Sequence, residues 1–390
     1  NNHSAKQATH RVEQYRQQVK YSFGRELPTF GVSANYLGIK VPELDNFSLS
    51  KNAFILPFSV NYEADFLLKN RDKTKSQKKV YEVSKFNEKA IYLALLADVA
   101  TVYTNICEYD ELIKLANEQV DIYTKILSSN SKKLSRGTIN TEQYNNSQKN
   151  LETAKINLQN LKKQQEVLLM QLAVLTGTST NEADNLTRGS FDKLEYCTKI
   201  PNEIDSDVIF SRPDVLAVES ELEKAKIDIR IARKEFLPTF NITGLWVFNT
   251  IAPGSFFSWE SSLAALLAGA SQDIFTGGRK IANLKIQKAK YEELFEKYRQ
   301  ADLNAVKEVN TALCFIKHDS KIENNTLKKL DYELKNLNSA KRKLNQGTVS
   351  YPEYLSELSR VLSLQSEAVN AKNQRLVNYF TLYKTVGGKI

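Results

Sequence analysis

The sequence of this chain repeats itself once, with an offset of 210 residues, which limits the folds it can adopt. The segment Leu27–Phe30 (LPTF) recurs as Leu237–Phe240, and the Gly-Thr pair that begins at Gly137 recurs at Gly347. Widely separated landmarks that keep one offset indicate a duplicated structural unit rather than coincidence. The sequence therefore predicts two copies of one unit, residues 1–176 and 211–390, joined by the segment 177–210.

Each unit contains a region in which apolar and polar residues alternate, at about 27–67 in the first and 237–275 in the second. In the first region Phe54, Phe58 and Tyr62 belong to one such apolar series. Alternation with a period of two gives a β-strand one apolar face and one polar face. We therefore expect two strands in each unit and four in the chain. The fourth, at roughly 259–275, is rich in small residues and alternates less cleanly.

Long helices follow the strands in both units. Residues 72–135 and 279–346 contain neither Gly nor Pro, so each can form a helix about 100 Å long. Apolar residues recur there in steps of three and four, and again in 141–175 and 351–385, which is the coiled-coil pattern. The sequence predicts long antiparallel coiled coils, with a shorter helix before each LPTF segment.

Composition argues against an enzyme and against a nucleic-acid-binding protein. The 390-residue chain has three His and three Cys, without a CxxC pair, and contains no P-loop, HExxH or GxSxG motif. We therefore expect no catalytic residue, no metal site and no cofactor. The formal net charge is +9, but the basic residues are dispersed along the chain. A nucleic-acid-binding surface would concentrate them on one face.

The apolar faces of the strands must be buried away from water, and the pattern is consistent with burial either by protein or by lipid. In a soluble coiled-coil scaffold or adaptor, the strands would form a small sandwich packed on the helices. In a membrane β-barrel, lipid covers the apolar face, and closure removes every sheet edge. Four strands cannot close a barrel, so several copies would each have to donate four. The alternation favours the barrel, and the scaffold remains an alternative.

Several motifs along the chain resemble those of one family. They are Ser211–Val215 followed by Ala232–Pro238, Gln272–Arg279 with Asp273 where Pro is usual, Gly347–Tyr351 with Leu355, and Leu382–Gly388. In this order, and with the duplication, they resemble the TolC-like outer-membrane efflux protein family over nearly all of the chain. The first and last motifs are more similar to its multidrug-efflux branch than to its type I protein-secretion branch.

The resemblance implies a mainly α-helical homotrimer with a twelve-stranded outer-membrane β-barrel and an α-helical tunnel in the periplasm. Segment 177–210 and the C-terminal end would form an equatorial collar. The implied function is the passive exit duct of a tripartite pump in a Gram-negative-type bacterium. An inner-membrane transporter would drive it through a periplasmic adaptor protein, and a secretion duct of the same fold is the alternative. The family's first helix, and in many members a lipid-bearing Cys, would precede Asn1.

By the resemblance, functional residues lie at the two tips, 136–144 and 346–357, where the long helices turn back. Both tips contain glycines, which permit a left-handed turn, and are preceded by basic residues that also suit a helix C-terminus. The expected adaptor-docking residues are Arg136, Gly137, Thr138, Gly347 and Thr348.

Carboxylates on the family's inner tip helices form an entrance ring that favours cations. By position this ring falls on Glu353, with Ser356 where a second Asp often stands, and on Gln143 in the first repeat, with Glu142 beside it. We expect a thinner acidic ring and a weaker preference for cations, with solvated tip residues as the alternative. Gly277 and Gly278 are expected to form the tight bend from strand to helix.

Overall fold

The computed structural model describes residues 2–389 except 45–46, 181–187, 196–203, 251–258 and 260–261. The chain forms two compact units. One comprises Asn1–Thr9, Asn87–Val215 and Ala301–Ile390, and the other comprises His10–Phe86 and Leu216–Gln300. Each unit contains segments from both sequence repeats. Parts of the predicted joining segment 177–210 and of the predicted strand region 237–275, as well as Cys197, lie outside the described residues.

The helices follow the repeat. Their bounds are α1 His3–Gly24, α2 Lys69–Ser135, α3 Thr141–Thr176, α4 Ser206–Phe210, α5 Pro213–Lys234, α6 Arg279–Asn345 and α7 Tyr351–Thr385. The starts of α1, α2 and α3 are each separated by 210 residues from those of α5, α6 and α7. Helices α2 and α6 have 67 residues each, which corresponds to about 100 Å. The predicted repeat and its long helices are confirmed.

Helix α2 begins at Lys69, three residues before the predicted start, because Asp65 caps it. The backbone N–H groups of Lys69 and Arg71 donate to the two carboxylate oxygens of Asp65 at 2.6 and 2.9 Å. A carboxylate in this position satisfies helix N–H groups that have no partner within the helix, and it interacts favourably with the helix dipole.

The described strands form one antiparallel sheet. Their bounds are β1 Thr29–Val32, β2 Asn35–Leu44, β3 Phe47–Ala64, β4 Thr239–Thr250 and β5 Ser262–Ser271. The order is β1-β3-β4-β5, and β2 also pairs with β3. The sequence predicts two strands in the first repeat, whereas the structure has three strand segments there, β1, β2 and β3. β5 is also shorter than the predicted 259–275.

A proline explains the extra segment. β1 and β2 pair with β3 in one continuous register, with Val32 opposite Phe58 and Asn35 opposite Ile55. The register places Ser33, in the break between β1 and β2, opposite Pro57. Ser33 still donates its N–H to the Pro57 carbonyl at 3.2 Å, but Pro57 has no N–H to return. β1 and β2 are therefore one interrupted strand, and the sheet is the predicted four-stranded ladder.

One face of the sheet is apolar, as predicted, whereas the other is polar only in part, since Leu267 of β5, where the alternation is less clean, lies in the same row as Thr243. Thr29, Asn61 and Thr243 stand in one cross-strand row, and the Thr243 hydroxyl donates to Asn61 Oδ1 at 3.3 Å. In the adjacent row Phe30 and Leu266 lie on the opposite face, where they are 77% and 78% exposed. An exposed apolar surface of this kind indicates contact with another protein or with a membrane.

Both return helices pack against α2 in the first compact unit. One core cluster joins Val102 and Ile106 of α2 to residues 169–173 of α3. Another joins Leu115, Ile122 and Ile126 of α2 to Leu355 and Leu362 of α7. These apolar residues belong to the seams that the three-and-four spacing predicts.

One stretch of α2 is apolar enough to cross a membrane by length and composition. Its best 18-residue window has a mean hydropathy of 1.5, and 28% of that window is buried. A core helix of a soluble protein passes the same test, so this single helix is weak evidence for a helical membrane span.

Candidate functional site

The first tip ends α2 with a glycine in the left-handed conformation. Gly137 has φ 68°, and its N–H donates to the Leu134 carbonyl at 2.9 Å. Thr138 donates both its N–H and its Oγ1 to the Lys133 carbonyl, each at 2.9 Å. This pair of backbone bonds is the Schellman motif, which satisfies carbonyls left free by the end of a helix. Arg136, between α2 and Gly137, is exposed to solvent.

The second tip repeats the same geometry. Gly347 has φ 72° and donates its N–H to Leu344 at 3.0 Å. Thr348 donates its N–H and its Oγ1 to the Lys343 carbonyl, at 3.0 and 3.1 Å. Since a Cβ at either glycine would have no atom within 4 Å, the backbone conformation rather than lack of space requires glycine.

The return helices begin with capping boxes, which place Gln143 and Glu353 in equivalent roles. In α3, Asn140 Oδ1 accepts from the Gln143 N–H at 2.9 Å, and Gln143 Oε1 accepts from the Asn140 N–H at 3.4 Å. In α7, the Ser350 N–H donates to Glu353 Oε2 at 2.8 Å. The hydrogen bonds from the Ser350 backbone and side chain lower the pKa of Glu353. Both residues therefore anchor a helix start.

The other two residues predicted at the entrance are held differently. Glu142, in the first turn of α3, is exposed. Ser356 is also exposed, and its hydroxyl donates to the Pro352 carbonyl at 2.9 Å. Ser356 is thus engaged with its own helix. The pattern Ser-x-x-Glu before an apolar run is a capping signal that is visible in the sequence.

At the junctions between strand and helix, the two repeats use different residues for one backbone conformation. Gly277 and Gly278 have φ 60° and 83° before α6. By the repeat offset, Leu68 is the counterpart of Gly278 in the first repeat, and Leu68 has φ 55°. The left-handed region costs a non-glycine residue roughly 1–2 kcal/mol. Around Leu68, the Asp72 N–H and Lys234 Nζ both donate to its carbonyl, each at 3.1 Å.

A buried carboxylate close to this junction was not singled out from the sequence. The Asp72 side chain is 3% exposed and accepts two bonds from Arg230, at 2.7 and 2.9 Å, and one from Lys234 at 2.7 Å. Burial acts to raise the pKa of Asp72, but the bonds from Arg230 and Lys234 outweigh it and lower the pKa. The cluster connects α2 to α5 within the second compact unit.

In the first compact unit, two of the family-like motifs meet. Arg212 is buried and donates to Asp214 and Glu308, each at 2.7 Å from its terminal nitrogen. A Cβ on Gly387 would lie 3.6 Å from the Arg212 backbone. The C-terminal motif therefore packs on the start of the second repeat, and the left-handed φ of 68° at Gly387, rather than lack of space, favours glycine there.

A second buried carboxyl, also missed in the sequence, lies between α2 and α7. Glu108 is 8% exposed, and Asn373 Nδ2 donates to its Oε2 at 2.6 Å. The same amide nitrogen donates to Asn105 Oδ1 at 2.9 Å. Burial raises the pKa of Glu108 to about 7. In the described part of the chain, Asn373 Oδ1 is buried without a hydrogen-bond partner.

The geometry defines a class of protein: a duplicated chain with long coiled-coil helices and a small two-faced antiparallel sheet whose apolar side is open. In the described residues there is no group of three or more His, Cys, Asp or Glu that could hold a metal ion. The features that the structure does provide are two matched helix tips, two strand–helix junctions and a sheet suited to a membrane.

Comparison with known proteins identifies the family. Residues 1–178 and 206–388 match the family of outer membrane efflux proteins, and the chain belongs to that family. It is 23% identical to the cation efflux system protein CusC of Escherichia coli O157:H7, over all of this chain and 84% of that protein. It is also 23% identical to the pyoverdine export outer membrane protein OpmQ of Pseudomonas putida, over all of this chain and 83% of that protein.

Solved structures agree on the fold. The Campylobacter jejuni CmeC outer membrane channel superimposes with a TM-score of 0.91 at 22% identity, over all of this chain and 83% of that one. The chain is thus an outer-membrane efflux channel whose helical part extends into the periplasm. The resemblance seen in the sequence is confirmed. The apolar face of the sheet could be buried by protein or by lipid, and contact with lipid agrees with an outer-membrane family.

Proposed function

We propose that three copies of this chain close one β-barrel and together form the exit duct of a tripartite efflux pump. The observation that carries the proposal is the sheet itself. In the described residues the outer edges of the interrupted strand β1–β2 and of β5 pair with no other strand. Unsatisfied edges are not tolerated in lipid, so further copies must pair with them.

The direction of the edge strands is compatible with closure by copies. A ladder of four antiparallel strands has edges that run in opposite directions. β5 of one copy can therefore pair antiparallel with β1–β2 of the next, and the alternation continues around the ring. Three copies give twelve strands, an even number within the range of bacterial barrels. The exposed apolar face, which includes Phe30, Trp246 and Leu266, would then meet lipid.

The tips support the proposed coupling to a periplasmic adaptor and, through it, to an inner-membrane transporter. The two Schellman turns at Gly137 and Gly347 hold Arg136, Thr138 and Thr348 at the ends of the helix pairs. Equivalent geometry at both tips would present a repeated surface to a partner. The names of two relatives describe cation efflux and pyoverdine export, which favours efflux of small solutes over the alternative of protein secretion.

Single-channel recording tests whether the chain is a duct. The purified chain, reconstituted into planar bilayers, should give stepwise conductance that persists without any energy source, because a passive conduit needs none. Reconstituted protein without conductance steps would contradict the proposal. A chain that stays in solution without detergent would instead support a coiled-coil scaffold.

The entrance charge gives a separate prediction. Glu353→Gln should lower the ratio of K⁺ to Cl⁻ permeability measured from reversal potentials in a KCl gradient, because each copy loses one entrance carboxylate. The helix start should survive, since Gln143 fills the equivalent capping position in the first repeat. Glu118→Gln, at an exposed position on α2, serves as the matched control. An unchanged permeability ratio for Glu353→Gln would show that these are only solvated tip residues.

A further inference from the structure

We propose that a cavity between the polar face of the sheet and the first turns of α2 binds the carboxylate or phosphate groups of solutes in the duct. The inference rests on the proposed function, because the barrel places this face of the sheet toward the lumen. The cavity has a volume of about 420 Å³ and lies wholly within the second compact unit. Its polar lining includes Arg25, Asn61, Asn70, Lys73, Asn241 and Thr243.

The sheet supplies one wall of the cavity. Thr29, Asn61 and Thr243 form a single cross-strand row, and Glu63 and Asn241 form the next row on the same face. The rows are fixed by the register and by the hydrogen bond from Thr243 to Asn61. In a membrane barrel the polar residues of alternating strands point inward. This wall therefore faces the path that a solute takes through the duct.

Positive charge dominates the opposite wall. The one carboxylate in the lining, Glu63, is paired with Lys69 at 3.2 Å. Lys73 is half-buried and donates to Oδ1 of Asn70, a side chain that is only 4% exposed. Arg25 is held over the Tyr21 ring, 5.0 Å from its centre, and donates to its hydroxyl at 3.3 Å. Among the described residues, neither Arg25 nor Lys73 forms an ion pair with a carboxylate.

This arrangement suits an anion. Burial, followed by the positive charge of Lys69, lowers the pKa of Lys73 despite the opposing charges of Glu63 and Asp65, so a bound anion would stabilise the charged form of this partly buried ammonium group. Guanidinium and ammonium groups form strong charge-assisted bonds with carboxylate and phosphate oxygens. Asn and Thr side chains add neutral hydrogen-bonding groups, and a concave site with a few converging polar groups is typical of ligand binding.

A neighbouring depression provides a matched control. It is lined by Arg71 and Lys78 together with Tyr62, Ala64 and Ile242 of the strands. Tyr62 and Ile242 also border the proposed cavity, so the two depressions adjoin, but Arg71 and Lys78 line only this one. Arg71 and Lys78 are exposed, so replacing them removes one Arg and one Lys charge without touching the proposed site.

The test is isothermal titration of the detergent-purified full-length chain with inorganic pyrophosphate and, separately, with citrate. Wild type and the Arg71→Gln/Lys78→Gln variant should bind with equal affinity, and Arg25→Gln/Lys73→Gln should bind on the order of tenfold more weakly. If that double variant does not fold, the exposed Arg25→Gln change alone should still weaken binding measurably. No binding by wild type, or equal weakening in both double variants, would overturn the proposal.

The titration also separates a soluble anion from a lipid headgroup. A site for a lipid headgroup would not bind soluble pyrophosphate. Wild type would instead retain phospholipid through delipidation, and Arg25→Gln/Lys73→Gln would lose it. That result too would overturn the proposal. Titration in detergent does not depend on conductance. A channel that conducts but binds no anion therefore contradicts only this inference, whereas absent conductance contradicts the proposed duct.

Discussion

Glu108→Gln should stabilise the folded chain by about 3 kcal/mol at pH 8 and by less than about 1 kcal/mol at pH 5. Burial raises the pKa of Glu108 from 4.5 to about 7, so the folded state holds this proton more tightly than the unfolded state does. Stability of the wild type therefore falls as the pH rises from about 4.5 to 7, and the penalty is complete above pH 7. Gln carries no charge and avoids the penalty.

Local hydrogen bonding should favour the same variant. Asn373 Nδ2 can donate to the Gln oxygen as it does to Glu108 Oε2. The Gln amide can also donate a hydrogen bond, and Asn373 Oδ1 is a buried acceptor without a partner in the described part of the chain. Because the protonated carboxyl of Glu108 at pH 5 can donate as the Gln amide does, this contact adds little difference between the two proteins at that pH.

Thermal unfolding in detergent at pH values from 5 to 9 measures this effect. Wild type should lose stability across the range up to pH 7 relative to Glu108→Gln. Glu118→Gln, at an exposed position on the same helix, should follow wild type. If Glu108→Gln and wild type show parallel pH profiles, Glu108 does not titrate between α2 and α7 as the structure indicates.

The double variant Arg230→Met/Lys234→Met should destabilise the chain by roughly 3–5 kcal/mol. It leaves the buried Asp72 carboxylate with only Lys75, whose Nζ is 3.9 Å from Oδ1, and a buried carboxylate that has lost its hydrogen-bonded partners is costly. Adding Asp72→Leu should recover most of the loss, because replacing a whole buried charge cluster with apolar residues is often close to neutral.

The recovery distinguishes electrostatics from packing. The midpoint of thermal unfolding, measured for wild type, the double variant and the triple variant, should be low only in the double variant. Equal losses in the double and triple variants would mean that the Arg230 and Lys234 side chains stabilise the junction by packing rather than by pairing with Asp72. Below pH 4 the double variant should approach wild type, since Asp72 then becomes neutral in it.

Much of the architecture is predictable from sequence because its signals are periodic or repeated. The offset of 210 residues, the absence of Gly and Pro from the long helices and the alternation in the strands each reflect local geometry. The break between β1 and β2 is of a different kind. Pro57 interrupts the ladder only because it stands opposite Ser33, and that pairing depends on the register between strands.

The buried charged residues could not be predicted from the sequence in the same way. Asp72 and Glu108 occur in long helices with many exposed carboxylates, and only the packing of α5 and α7 shows which of these are buried. Leu68 occupies a left-handed position that glycine normally fills, and only the offset to Gly278 hints at it. The capping role of Glu353, by contrast, follows from the local pattern Ser-x-x-Glu.

The mass of the detergent-extracted particle decides whether three copies of the chain form one barrel. A twelve-stranded barrel requires three copies of this four-stranded chain, since its described sheet has unpaired edges on both sides. Light scattering corrected for bound detergent should give a protein mass three times that of the 44.3 kDa chain. A monomer or dimer that remains in solution without detergent would contradict the account, because the apolar face of the sheet would then be covered by protein.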